Sequence, residues 1–173
     1  MAMEYLLIQP DDLQKTADKN EKSNMRWVSS FNKKQVGKLD SLVHALHYEI
    51  VENIDCLKCA NCCKSISPSL YNKDIERMSK ALKLKPSEFI SLYLKIDEEN
   101  EYVFKDTPCP FLDAHNYCAV YENRPKACRE YPHTNRPRFY QIFKLTIKNT
   151  AICPVAYYVI EELKLSAPGK NRK

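Results

Sequence analysis

Cys56-Leu57-Lys58-Cys59-Ala60-Asn61-Cys62-Cys63 packs four thiols into eight residues. A C-x-x-C loop brings two sulfurs within reach of one ion and lets backbone N–H groups point at them, which stabilises thiolate charge. Here two such pairs overlap and end in a doublet. The other cysteines, Cys109, Cys118, Cys128 and Cys153, arrive singly further along the chain. One local cluster with distant single thiols is how a metal clamps a chain whose own core is modest, closing long loops at the moment of binding. The doublet carries geometric information. Neighbouring side chains diverge by about 100° on a helix and point oppositely on a strand, so Cys62 and Cys63 are expected to feed two metal centres, or to divide into one ligand and one buried thiol. Eight sulfurs match two Cys₄ tetrahedra, or one four-cysteine cluster plus a second site, and the spacing leaves the partition open. The plainer reading of any single cysteine is a small buried hydrophobe.

Compartment decides how the thiols are read. Met1–Pro10 has no basic segment, its apolar piece Tyr5–Ile8 is short, and Asp11-Asp12 follows at once, so no secretory signal is expected. The longest nearly apolar stretch, Ala151–Ile160, contains Pro154 and has about half the length of a membrane span. The expectation is a cytoplasmic protein without a membrane partner, whose cysteines are reduced metal ligands rather than disulfides.

Composition bounds the remaining classes. The chain has 173 residues, 44% apolar and 28% charged, which is ordinary globular usage. Its net charge of +5 would be nearly offset by two tetrathiolate zinc sites at about −4 in total, so the basic balance is poor evidence for a nucleic-acid partner. With only Gly37 and Gly169, there is no glycine-rich loop to cradle a phosphate. No serine sits in a nucleophile-elbow context, and Asp97-Glu98-Glu99 reads as a solvated loop. No catalytic residue is assigned.

Outward from the cluster, Leu39, Leu42, Val43, Leu46 and Ile50 form one apolar stripe and predict a helix over 38–53. Ser65–Tyr71 reads as a Ser/Pro loop, and Asn72 as the cap of a helix whose core face is Ile75, Met78 and Leu82. Pro86 suits the first turn of the next helix, carrying Phe89, Ile90, Tyr93, Leu94 and Ile96. This helix pair reads as a packing unit rather than a DNA-binding helix-turn-helix. Tyr102–Phe104 and Tyr117–Tyr121 read as short strands, with a turn at Asp113–Asn116. Lys126–Tyr131 predicts one helical turn around Cys128. Phe143, Leu145 and Ile147 alternate with polar residues and predict a half-buried strand, and Pro154 opens a final helix with Val155, Val159, Ile160 and Leu163 inward. The expected architecture is α+β, a small single domain of helices with short β-strands held together by cysteine-ligated metal. Its parts are a lead-in segment (1–32) whose Trp27 and Phe31 dock on the body, a cysteine-cluster domain (33–165) and a basic disordered tail (166–173).

Among other candidates, His44 and His47 share a helix face and read as solvated or half-buried, and His115 as a surface turn residue. His133 is a weaker candidate for a ligand or for a donor to one. Arg124 and Arg129 flank Cys128. They read as guanidinium groups that offset thiolate charge and hydrogen-bond loop carbonyls, in preference to an anion site.

C-x-x-C-x-x-C-C at 56–63, Pro108-Cys109-Pro110-Phe111-Leu112, Tyr117-Cys118-Ala119-Val120-Tyr121 and Arg124-Pro125-Lys126-Ala127-Cys128-Arg129-Glu130-Tyr131-Pro132 together resemble the YkgJ-type cysteine-cluster family. That family is described as a zinc- or iron-chelating domain. The resemblance runs from Cys56 to Cys153 and implies that all eight cysteines are metal ligands: Cys56, Cys59, Cys62, Cys63, Cys109, Cys118, Cys128 and Cys153. Two positions depart from the family pattern, Ala60 where relatives often have Gly, and Tyr131 where Phe is usual. Asn61 tolerates left-handed backbone and is expected to take over the turn at Ala60.

All-sulfur coordination suits Zn²⁺ and Fe–S clusters alike. Cys109-Pro110 and Cys153-Pro154 resemble the Cys-Pro that closes ferredoxin motifs. Some longer proteins related to the domain are flagellin lysine methylases for which an Fe–S cluster is proposed. The leading expectation is a zinc protein with a structural or binding role and a protein partner. The alternative is an iron or [4Fe-4S] protein serving electron transfer or an enzyme.

Overall fold

The computed structural model describes residues 8–31 and 39–166. In chain order its elements are α1 (Pro10–Ser29), α2 (Leu39–Asn53), α3 (Cys56–Cys59), α4 (Asn61–Ser65), β1 (Ser69–Leu70), α5 (Asn72–Ala81), α6 (Pro86–Tyr93), β2 (Leu94–Ile96) and β3 (Tyr102–Phe104). A 3₁₀ turn (Tyr121–Asn123), α7 (Lys126–Glu130), a second 3₁₀ turn (Phe139–Ile142), α8 (Phe143–Asn149) and α9 (Pro154–Ser166) follow. Helices with one small antiparallel sheet make the fold α+β, as expected. Of the basic tail only Ser166 lies within the described residues. Among those residues no helix is long and apolar enough to cross a membrane. Two compact units are formed, one by Met1–Asp55 with Pro132–Lys173, the other by Cys56–Tyr131.

The first unit is helical. Its core joins Leu39, Val43, Leu46 and Ile50 of α2 to Val155, Val159, Ile160 and Leu163 of α9, so both predicted stripes face inward. Trp27 and Phe31 dock against Phe143, with ring centroids 5.9 and 6.1 Å away. The lead-in carries a 20-residue helix that its weak pattern did not suggest. Its buried positions are Leu13, Ala17 and Asn24. A small residue and a polar one interrupt the apolar stripe, and Asn24 is satisfied by the Lys164 ammonium at 3.0 Å. The Asp40 carboxylate accepts the backbone N–H groups of Arg138 (2.5 Å) and Phe139 (3.0 Å), which pins the segment before α8.

The predicted strand at Phe143–Ile147 is helix α8. Phe143, Thr146, Ile147 and Thr150 are buried, spaced i, i+3, i+4 and i+7, whereas Leu145 is 45% exposed. Thr146 and Thr150 satisfy their hydroxyls on the carbonyls of Ile142 and Ile147, so two threonines occupy core positions that read as polar in sequence.

The second unit builds a three-stranded sheet in the order β1-β3-β2, with Ser69 opposite Val103 and Leu94 opposite Phe104. Its core is Leu70, Ile75, Met78, Phe89, Leu94, Phe104, Phe111 and Val120. Leu94–Ile96 was expected to continue the preceding helix and is instead β2. The cause is Asp97. Its carboxylate accepts the N–H groups of Glu99 and Glu101, and Asn100 takes φ 62°, which folds the chain back into β3. Ser69–Leu70, expected as loop, pairs with the other side of β3. Asn72 is the first residue of α5 rather than its cap; the cap is Tyr71, whose N–H donates to Asp74 at 3.1 Å. Pro86 opens α6 as expected. Tyr117–Tyr121 forms only a bridge, Leu112 to Cys118, before the 3₁₀ turn.

Candidate metal centre

The cysteine loop folds as two short helical turns hinged at Ala60. Ala60 donates its N–H to the Cys56 carbonyl (2.8 Å), and its own carbonyl accepts from Lys64 (3.1 Å). It takes φ 47°, ψ 16°, so the left-handed turn falls on Ala60 itself and not on Asn61. Cys56 is exposed, while Cys59, Cys62 and Cys63 are partly buried. On α4 the doublet does not separate at its tips: the Cys62 and Cys63 sulfurs are 4.0 Å apart. A ZnS₄ tetrahedron with bonds of about 2.3 Å has sulfur–sulfur edges of about 3.8 Å. The doublet is thus close to the spacing that one ion bridges, contrary to the divergence expected from the Cβ directions.

Cys109 and Cys118 are brought to this loop by backbone bonds and by the core. The Cys109 N–H donates to the Cys63 carbonyl at 2.8 Å, and the Asn116 side chain donates to the Leu57 carbonyl at 2.8 Å. The turn between the two cysteines is the expected one, built on Asp113, which accepts the N–H groups of His115 and Tyr117. Both cysteines pack against the sheet core. Cys128 lies on α7, within the one helical turn predicted there.

The electrostatics tie four of these sulfurs together. The hydrogen bond from Cys62 pulls the Cys63 thiol down to about 7 against the opposing effect of burial, with help from the Arg124 and Lys64 charges. Burial pushes Cys109 up to about 11, although the backbone N–H groups of Phe111 and Leu112 oppose it. Burial also raises Cys118. Cys128 goes up to about 12, first through burial and then through the charges of Cys63, Cys109 and Cys118. Each of the three raised thiols feels Cys63, so Cys63, Cys109, Cys118 and Cys128 stand within electrostatic reach of one another. As placed, no three His, Cys, Asp or Glu side chains among the described residues converge closely enough to hold an ion. The donor chemistry nonetheless suits a thiophilic metal: seven unbridged thiols lie in one small unit, with the Arg124 and Lys64 charges acting on Cys63.

The eighth, Cys153, belongs to the other unit. There its N–H bonds the Asn149 carbonyl and its side chain packs against the α2–α9 core. His44 and His47 also lie in that unit, on the Arg136 carbonyl (3.0 Å) and the Thr134 hydroxyl (2.6 Å). His47 is buried rather than solvated, and His115 is exposed in its turn.

Arg124 stacks over Tyr121 at 3.7 Å and donates to the Tyr121 carbonyl, and Arg129 donates to the Arg124 carbonyl. Both guanidinium groups therefore bond loop carbonyls as expected, and Arg124 adds positive charge beside Cys63. Sequence reasoning missed Asp74 and Arg77. Asp74 is 2% exposed and accepts from Tyr71, from Arg77 (2.5 Å) and from the Lys126 N–H (3.0 Å). Burial alone would raise its carboxyl, but these donors hold it below the usual carboxylate range. Arg77 also donates to the carbonyls of Asn123 and Arg124. In sequence the pair looks like an ordinary i, i+3 helix-surface ion pair. The one available signal was an acid at the third position of a predicted helix.

A family model described as "CxxCxxCC: Putative zinc- or iron-chelating domain" matches residues 55–154, more than half of the chain. The chain belongs to the CxxCxxCC family. Its matched span contains all eight cysteines, so the metal-binding character read from the thiols is that of a CxxCxxCC domain, with zinc and iron both within its description. No curated protein and no solved structure matches the chain.

Proposed function

We propose that this CxxCxxCC protein is a cytoplasmic zinc-binding protein in which the ion has a structural or partner-binding role, with Cys63, Cys109, Cys118 and Cys128 as the nucleus of the site. The supporting observation is that four thiols from three separate segments lie within one another's electrostatic reach, and that two of them, Cys109 and Cys118, pack against one small core. Zinc supplies what such a group lacks, a positive charge that turns buried thiols into ligated thiolates. Cys62 sits 4.0 Å from Cys63 and is available to the same ion, and Cys56 and Cys59 are the outer thiols of the loop. The chain's own part is to deliver the sulfurs. The Cys109-to-Cys63 backbone bond sets two segments in register, and Arg124 and Lys64 reduce the cost of gathering negative charge.

Anaerobic purification followed by metal analysis and an absorption spectrum tests this. Colourless protein with stoichiometric zinc is expected. A brown protein with iron and acid-labile sulfide overturns the zinc reading in favour of an iron–sulfur cluster on the same thiols. Protein with neither metal overturns both.

A further inference from the structure

We infer that Asp74 and Arg77 of α5 are the positioning residues of the metal centre, a brace that sets where Cys128 meets the other thiols. The inference rests on the metal-binding reading above. Helix α7, which carries Cys128, is five residues long, begins after Pro125 and has no side-chain cap of its own. Its leading N–H groups would otherwise be unpaired. The first of them, from Lys126, is taken by Asp74, a residue 52 positions away and almost wholly buried. Asp74 thus caps from a distance a helix too short to stand alone.

Arg77 completes the grip. Through one guanidinium it bonds Asp74, the Asn123 carbonyl (3.3 Å) and the Arg124 carbonyl (2.9 Å). The segment from Asn123 to Lys126 is therefore held at three backbone atoms by two side chains on one turn of α5. That segment fixes two things at the centre, the start of the helix bearing Cys128 and the backbone of Arg124, whose charge acts on Cys63, Cys118 and Cys128. The fork geometry of arginine suits two carbonyls and a carboxylate at once, which lysine does not match. The pair touches no sulfur in its hydrogen bonds and acts through the backbone, as orienting groups around metal ligands do.

The test uses the full chain and cobalt(II) as probe, because its thiolate-to-metal charge-transfer absorption reports how many sulfurs bind and in what geometry. Zinc affinity is then read by competition. Asp74→Ala should weaken binding roughly 10–100-fold and reduce the charge-transfer band, with Asp74→Asn in between because one acceptor oxygen survives. Arg77→Gln, at a partly exposed position, is the milder variant and should weaken binding in the same direction if Asp74→Ala does not fold. Met78→Ala, on the same helix but pointing into the core, is the control for lost stability. It should keep the wild-type cobalt spectrum under conditions where circular dichroism shows a folded chain. Wild-type spectrum and affinity in folded Asp74→Ala or Arg77→Gln overturn the inference, as does an equal loss in Met78→Ala. Wild-type protein that takes up neither cobalt nor zinc instead overturns the metal-binding reading, so the two failures are told apart.

Discussion

Ala60 holds a left-handed backbone at φ 47° between two cysteine-bearing turns, a conformation that costs a residue with a Cβ about 1–2 kcal/mol. Its methyl group is buried, which returns about 0.8 kcal/mol, and alanine gives up less backbone entropy on folding than glycine. The terms nearly cancel, which explains how alanine stands at a turn that suits glycine. Ala60→Gly should therefore change stability by less than about 1 kcal/mol, while Ala60→Val, β-branched at positive φ, should cost about 2 kcal/mol or more. Urea unfolding of metal-loaded protein checks both, and a large gain for the glycine variant would show that strain dominates. A second residue gives a pH dependence. Burial, aided by the His44 charge, lowers the pKa of His47, whose ring lies 2.6 Å from the Thr134 hydroxyl. The unfolded chain, with a histidine pKa of about 6.5, then binds a proton that the folded chain refuses. Stability is fully present above about pH 6.5 and falls as the pH drops below it. The fluorescence of Trp27, the chain's single tryptophan, follows unfolding of this unit. His47→Asn should flatten the decline between pH 7 and 5.5, and an unchanged slope would remove His47 as its source.

Among the elements, α8 separates two readings of one stretch of sequence. On a strand Phe143, Leu145 and Ile147 would share a buried face; on the observed helix Ile147 is 2% and Leu145 45% exposed. Ile147→Ala should accordingly cost about 2–5 kcal/mol and Leu145→Ala about 0.5 kcal/mol or less. Comparable losses from both, measured by denaturant unfolding, would restore the strand. What made α2 and α9 legible is that apolar residues fill nearly every inward position. In α8 and α1 threonine and asparagine take such positions and are satisfied by the Ile142 and Ile147 carbonyls and by Lys164, bonds that no periodicity shows. Strands β1 and β2 were hidden for another reason. Two or three residues long, they owe their form to pairing with β3 and to the Asp97 turn, not to local preference. The cysteine positions needed no such context, since sulfur chemistry and spacing point to a metal directly, whereas Asp74 and Arg77 act through partners about 50 residues away.

The whole molecule builds two separate cores. One unit buries an aliphatic and aromatic core from α2, α8 and α9 with the 3₁₀ turn before α8. The other, Cys56–Tyr131, has about 76 residues and one cluster of eight buried apolar side chains around a sheet of two- and three-residue strands. Units of this size seldom reach more than about 3–5 kcal/mol from a single core and commonly add a staple. In the zinc reading proposed above the thiols of this unit supply that staple, and because such a site does not exist in the unfolded chain, its binding energy is folding energy. Removing the metal with a thiol-compatible chelator should therefore speed amide exchange across Cys56–Tyr131, first at the amides that join segments: Cys109 to Cys63, Ala119 to Phe111 and Lys126 to Asp74. The amides of α2 and α9 should keep their protection. Exchange that is unchanged in Cys56–Tyr131 would mean that its core suffices alone and that the metal is held for use rather than for folding. Equal acceleration in α2 and α9 would mean that the ion's contribution is not confined to the unit that carries seven of the eight cysteines.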